Sequence, residues 1–331
     1  MGLNMTGHTI RTSIAVLASV LALYTLYVPA VQAQQPRKVI GLSKPNLKGP
    51  YPTAELYGIL DEAKALGFTV IVQDAGGYAN IDKQLDQISN LAIKKVSAIL
   101  IDPSDPAALN GVVQQAREAG IFLVGAGVNV VASAVEPDAA VSSSHCNIGR
   151  ELAKGAKALL PSGGSLGVLA GPPGSFWATE RLRCFKADIA GTNIKIVAET
   201  TSEQDAATSL TRASEILQRH PKLDMLYGAD DVYGVGAARA AQAADRCGKT
   251  RVIFSVLGEE AEDMMNAGCA DYVVAQQPVL IGRTEVRVVA DLLEGKKPEP
   301  KVIDVPLIGI TPENLKTVDK AHLRPPAGWR P

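Results

Sequence analysis

Carboxylates stand where apolar runs stop: Asp74 closes TVIVQD, Asp102 closes SAILID, and the pair Asp230-Asp231 follows LDMLYGA. Paired acids of this kind can serve as proton donor and base in glycoside hydrolysis. They can equally accept sugar hydroxyls or cap helices, with no bond broken. Nucleophilic chemistry lacks its parts. Ser175 lies in GPPGSFW, which is not the GxSxG turn that exposes a catalytic serine. Beyond the leader the histidines are His145, His220 and His322. His220 precedes Pro221 at a helix end and His322 falls in a polar tail, so a Ser-His-Asp set is hard to assemble. His145 lies at the junction of two repeating halves, where contact with a ligand and a local capping role are equally open.

Phosphate and metal chemistry fare no better. Gly76-Gly77 satisfies neither GxGxxG nor GxxxxGK[ST]; GVGAAR (234–239) places Arg239 where a third small residue belongs and lies within a helical pattern. The four cysteines, Cys146, Cys184, Cys247 and Cys269, show no CxxC or His-rich metal spacing. No cofactor and no metal are expected, and the chain reads as a non-enzyme.

The elements that must position these residues alternate regularly. KVIGLS, TVIVQD, SAILID and FLVGAG read as near-continuous apolar strands, separated by helices with apolar residues at three- and four-residue steps. After residue 143 the pattern restarts with SLGVLAG, IKIVAET, LDMLYGA, VIFSVLG and DYVVAQQ as strands, again with helices between. The expected class is α/β, with two doubly wound parallel-sheet lobes. Ligands of such sheets bind beyond the carboxyl ends of the strands. The strand ends here offer acids, amides, glycines and nearby aromatics, the chemistry of a hydrogen-bonding pocket.

Composition agrees with that class. Aromatics are 5% of the chain, while small and branched apolar residues abound, as in sheets covered by helices. Met1–Arg11 has one Arg and no acid, TSIAVLASVLALYTLYVPA follows, and Val31-Gln32-Ala33 offers a small-residue cut. Residues 1–33 therefore read as a cleaved secretory signal and the destination as the periplasm. Thr25 and Pro29 interrupt the run, which argues against a membrane anchor. Removing Arg11 takes the net charge from −1 to about −2, which predicts no nucleic-acid partner and no membrane-surface attraction. An even cysteine count in an exported chain favours disulfides, with three pairings possible.

KVIGLS…GPY, SAILIDPSDPAAL, REAGIFLV, HPKLDMLYGADDVYGVGAARAAQ and ADYVVAQQPVLIGRTEVRVVADLLEGKKP resemble, in this order, the periplasmic sugar-binding proteins of the ribose- and galactose-binding type. The resemblance spans roughly residues 38 to 308. It implies two lobes joined by three crossover strands, closing on a small ligand delivered to an ABC permease. The lobes would be 37–143 with 277–306 and 144–276 with 307–315, leaving 316–331 as a surface tail. AGGY, DIAGTNIKIV, RHPKLDMLYG and LRPPAGWRP look like a nearer branch, the TorT-like receptors, which implies a sensor histidine kinase in the inner membrane as partner instead.

Carried over position by position, the family pattern places ligand contacts on Tyr51, Asp102, Arg181, Asp230 and Gln276. Tyr78, His145, Phe176 and Trp177 complete the expected cleft wall. The pattern departs at Pro52, Gly127, Val128 and Val256, where a stacking ring and three charges of the ribose type are missing. Pro52, His145 and Val256 also thin the aromatic cage that the TorT-like branch would need for trimethylamine N-oxide. The implied ligand is a small polar solute, a sugar or polyol, and the chain a monomer. Family placement further implies the pairs Cys146–Cys184 and Cys247–Cys269.

Overall fold

The computed structural model describes residues 1–2, 38–105, 107–127 and 136–330. The expected signal segment (apart from Met1 and Gly2) and Val128 lie outside them. Among the described residues no helix is long and apolar enough to cross a membrane.

The first half runs β1 (Val39–Lys44), α1 (Pro50–Leu66), β2 (Thr69–Asp74), α2 (Ile81–Ile93), β3 (Ala98–Ile101), α3 (Asn110–Glu118), β4 (Phe122–Gly127) and β5 (Ala139–Ser142). The second runs α4 (His145–Leu159), β6 (Gly164–Leu169), α5 (Phe176–Ile189), β7 (Ile194–Thr200), α6 (Ala206–Arg219), β8 (Met225–Gly228), α7 (Asp231–Ala243), β9 (Arg251–Ser255), α8 (Glu259–Asn266) and β10 (Tyr272–Ala275). Then follow α9 (Pro278–Leu293), β11 (Val302–Asp304) and β12 (Ile308–Ile310).

Two six-stranded sheets result, ordered β11-β5-β4-β3-β1-β2 and β12-β10-β9-β8-β6-β7. The chain passes between sheets after β5, β10 and β11, which makes three crossovers. The first sheet is parallel throughout, whereas β12 pairs antiparallel with β10 at the edge of the second. That edge departs from the all-parallel expectation: β12 enters the second sheet directly from β11 of the first and runs against β10.

The central strands' apolar runs are buried on both faces, as helix-covered parallel strands should be, whereas the edge strands β2 and β7 stay partly exposed. Ile40, Leu42, Leu100 and Val124 pack under α1 and α9, while Val168, Leu226, Ile253 and Val274 centre the second lobe's core. Caps set helix starts at the cleft side: the Ser144, Ser175 and Asp205 side chains accept from the Asn147, Ala178 and Thr208 amides. The glycines of GVGAAR lie inside α7, where a Cβ on Gly234 would fall 2.0 Å from the Phe254 ring. They allow close packing and cradle no phosphate.

Both expected disulfides are formed, Cys146–Cys184 between α4 and α5, and Cys247–Cys269 between the approaches to β9 and β10. The tail does more than cover surface. Leu323 is buried in the second lobe's core, while Trp329 packs edge-on to Tyr57 of α1 in the first, with ring centroids 5.2 Å apart. His322 contributes its carbonyl, which accepts the Val279 N–H at 3.1 Å in the first turn of α9.

Candidate functional site

Each wall of the site is a row of strand ends. β3 and β4 bring Asp102 and Gly127 to the first wall, with Lys44 of β1 behind them, and α1 adds Tyr51. β8 and β9 bring Asp230 and Val256 to the second, with Gln276 after β10 set behind them, and α4 and α5 add His145, Trp177 and Arg181. Between them lies a cleft holding about 490 Å³ of empty space, open solvent at its mouth included. Seven of the nine sequence-selected residues line it: Tyr51, Tyr78, Asp102, His145, Trp177, Arg181 and Asp230. Two do not. Gln276 lies behind Arg181, and Phe176 is 38% exposed at the lip, edge-on to the His145 ring.

Arg181 organises the second wall. It is 4% exposed; Nη1 donates to the Ala229 carbonyl at 3.0 Å and to Ser255 Oγ at 2.8 Å, and Nη2 donates to Gln276 Oε1 at 2.9 Å. The guanidinium also lies 4.6 Å from the Trp177 ring centroid, a cation–π distance. Burial lowers its pKa, but a guanidinium so basic at the outset keeps its charge. Nη2 approaches His145 Nδ1 at 3.5 Å. Burial, then this positive neighbour, drive the His145 pKa well down, so the imidazole is neutral. Arg181 Nε, His145 Nε2 and Gln276 Nε2 have no hydrogen-bond partner among the described residues.

Asp230 caps α7 by accepting the Tyr233 N–H at 3.3 Å, and its other oxygen accepts from Gln204. Burial raises its pKa while Arg181 opposes; for neighbouring Asp231, burial and the Asp230 charge both push upward. Val256 holds φ at 72°, a left-handed backbone costly for a β-branched residue. Across the mouth, Trp177 Nε1 donates to Tyr78 Oη at 2.9 Å, a hydrogen bond that spans the cleft from one lobe to the other.

Asn46 and Gln204 also line the cleft, and sequence reasoning missed both. They sit in connecting segments, where no periodicity singles out a side chain. Also missed was a buried charged group behind the first wall: Lys44, Glu55 on α1 and Glu285 on α9. Glu55 did carry a signal, since it lies four residues before Ile59 and so shares the apolar face of α1. Lys44 pairs with Glu55 and, at 3.2 Å, with Asp102. Burial pushes the Asp102 carboxyl up to about 6, against the pull of Lys44. The walls therefore present ionised and neutral acceptors, unpaired donors and aromatic faces, an arrangement suited to gripping a small polar molecule.

Known proteins carry the same plan. The ribose import binding protein RbsB of Bacillus subtilis (strain 168) is 29% identical over 280 residues, covering 84% of this chain and 89% of its own. The periplasmic protein TorT of Escherichia coli O157:H7 is 28% identical over 315 residues, covering 91% and 87%. The solved structure of a Caulobacter myo-inositol binding protein, with myo-inositol bound, superposes with a TM-score of 0.79 at 26% identity, covering 87% of this chain and 97% of that one. The family model for the periplasmic binding protein domain matches residues 40–297, and the chain belongs to that family.

Proposed function

We propose that this protein captures a small polyhydroxylated solute, a sugar or polyol, between its lobes and hands it unaltered to the permease of an ABC importer. The observation that carries this reading is the cleft itself, with aromatic faces, acids and unpaired donors converging from both sheets. The names of the relatives, a ribose import protein and a myo-inositol binding protein, favour a polyhydroxylated ligand. Asp102 and Asp230 would accept hydroxyls, Arg181 Nε would donate, and the Tyr51 ring would cover an apolar face of the solute. A buried polar group left without its partner costs about 1–3 kcal/mol, so solutes lacking the matching hydroxyl are rejected. A ligand touching both walls favours the closed arrangement over the open one. Residues 1–33 direct export to the periplasm, where the protein acts as a monomer.

The acids of the cleft are already engaged by Lys44, Gln204 and the Tyr233 amide. Binding therefore suits them better than hydrolysis. Thermal melting with D-ribose, D-allose, myo-inositol and trimethylamine N-oxide tests the proposal. A carbohydrate at a hundred times its Kd should stabilise the fold by about 2.7 kcal/mol; no shift with any of the three would refute the carbohydrate reading.

A second reading has its own support. The likeness to TorT runs through 91% of the chain, against 84% for the ribose import protein. On that reading a membrane sensor histidine kinase, rather than a permease, recognises the occupied protein. A shift with trimethylamine N-oxide alone would favour it.

A further inference from the structure

Behind the first wall, three ionisable side chains from separate elements are sealed from water: Lys44 is 1% exposed, and Glu55 and Glu285 are 0%. Glycines bring their elements together. A Cβ on Gly58 would lie 2.2 Å from the Val279 carbonyl oxygen, and one on Gly282 would lie 2.2 Å from that of Glu55. Only glycine lets α1 and α9 approach this closely, and the approach sets Glu55 against Glu285. Glu285 Oε1 accepts the Gly127 N–H at 3.0 Å. Glu55 Oε1 and Glu285 Oε2 each lack a hydrogen-bond partner among the described residues. Two facing carboxylates with an orphaned oxygen apiece are satisfied together by one proton held between them.

A purely structural ion pair needs one acid for Lys44, whereas here three carboxylates surround it, in a place where burying charge is costly. The group also touches the cleft. Lys44 is bound to Asp102 and lies 5.9 Å from the Tyr51 ring centroid. Gly127, which Glu285 holds, abuts the Tyr51 hydroxyl so closely that a Cβ there would be 2.8 Å from it. We propose that Lys44, Glu55 and Glu285 are positioning residues for solute binding: with one proton shared by the glutamates, they keep Asp102 an ionised acceptor and seat the Tyr51 ring. This deepens the solute-binding reading of the same cleft and rests on it.

The groups facing the network are Tyr51 on α1, Asp102 beyond β3, the Gly127 amide on β4 and, from across the cleft, the charge of Arg181. Burial first, then Glu55, raises the Glu285 carboxyl well above its ordinary range. Asp102 and Glu55 raise Lys44 in spite of its burial.

The test uses the whole chain in two measurements: 13C carboxyl NMR titration without ligand, and calorimetry with D-ribose, D-allose and myo-inositol across pH. In the wild type, Asp102 should titrate near pH 6 and Glu285 should titrate well above the ordinary carboxylate range. Lys44→Met should raise the Asp102 midpoint by more than about one unit, and weaken binding at pH 7 by about tenfold, with recovery at higher pH. Glu285→Gln puts a neutral amide where the network holds a neutral acid, and should melt within about 2 °C of the wild type at pH 7. Glu55→Gln, which removes the direct partner of Lys44, should melt far lower. Should Lys44→Met not fold, Glu55→Gln still reports, because losing a negative neighbour should lower the Asp102 midpoint. An Asp102 midpoint indifferent to these changes, or a Glu285→Gln as damaging as Glu55→Gln, would overturn the network. If none of the three solutes binds the wild type, the carbohydrate reading fails by itself, and the midpoints still decide the network.

Discussion

The two walls of the cleft solve the same problem differently. On the second, Arg181 has both terminal nitrogens committed to backbone and side-chain acceptors, and nearby His145 is held neutral. On the first, Lys44 is surrounded by Glu55, Glu285 and Asp102, so fixed charge sits behind the lining. A hydrogen-bonded frame resists rearrangement whether or not solute is present. A cluster with more acids than bases must hold protons, and its state follows pH. The hydrogen-bonded frame around Arg181 thus sets the second wall apart from the lysine-centred cluster behind the first, while raised carboxyls occur on both, Asp230 and Asp231 on the second and Asp102 on the first.

Covalent reinforcement follows the same division, since both disulfides lie in the second lobe. Replacing Cys146 and Cys184 by Ser should destabilise the fold by about 3–4 kcal/mol on the loop-entropy model. Hydrogen exchange should rise in α4 and α5 while β1 to β4 stay protected; equal loss in both lobes would dissolve the contrast.

Arg181→Ala leaves the Ala229 carbonyl, Ser255 and Gln276 without their donor, which costs about 1–3 kcal/mol for each group left bare. Calorimetry should find solute affinity down by about two orders of magnitude at every pH. Unchanged affinity would remove Arg181 from the site.

The first wall should instead show its contribution as a pH profile. Asp102 is ionised above about 6, so affinity for a hydroxyl donor should fall by about tenfold between pH 7.5 and pH 5. Stability runs the other way. The folded-state pKa lies above the ordinary 3.8, so the stabilisation from this group is full below 3.8 and lost as pH rises to 6. A flat affinity profile with Arg181 intact would show that Asp102 is no acceptor.

The smallest effect belongs to the tail. Trp329→Ala removes an edge-on aromatic contact with α1, worth about 0.5–1.5 kcal/mol beyond its buried area. Hydrogen exchange should quicken in α1 and leave the second lobe, where Leu323 remains seated, unchanged.

How much of this was legible in the sequence follows from what periodicity records. Apolar runs ending in Asp74, Asp102 and Asp230 gave both lobes and the side of the sheets on which ligand chemistry gathers. The antiparallel β12 was not legible, because three residues carry no period. Tyr51, Asp102, Arg181 and Asp230 were found through strand ends and family pattern, whereas Asn46 and Gln204 lie in loops that encode neither. Glu55 was missed as well, although it lies four residues before Ile59 on the buried face of α1. Its meeting with Glu285 depends on α9 returning to the first lobe, which no local pattern reveals.

Backbone amide chemical shifts, recorded with and without whichever tested carbohydrate stabilises the fold, probe two-walled capture most directly. Saturation should move amides near Tyr51 and Asp102 together with those near Arg181 and Asp230, while the solute's own resonances persist unchanged. Shifts confined to one lobe, or the appearance of a chemically altered solute, would contradict it.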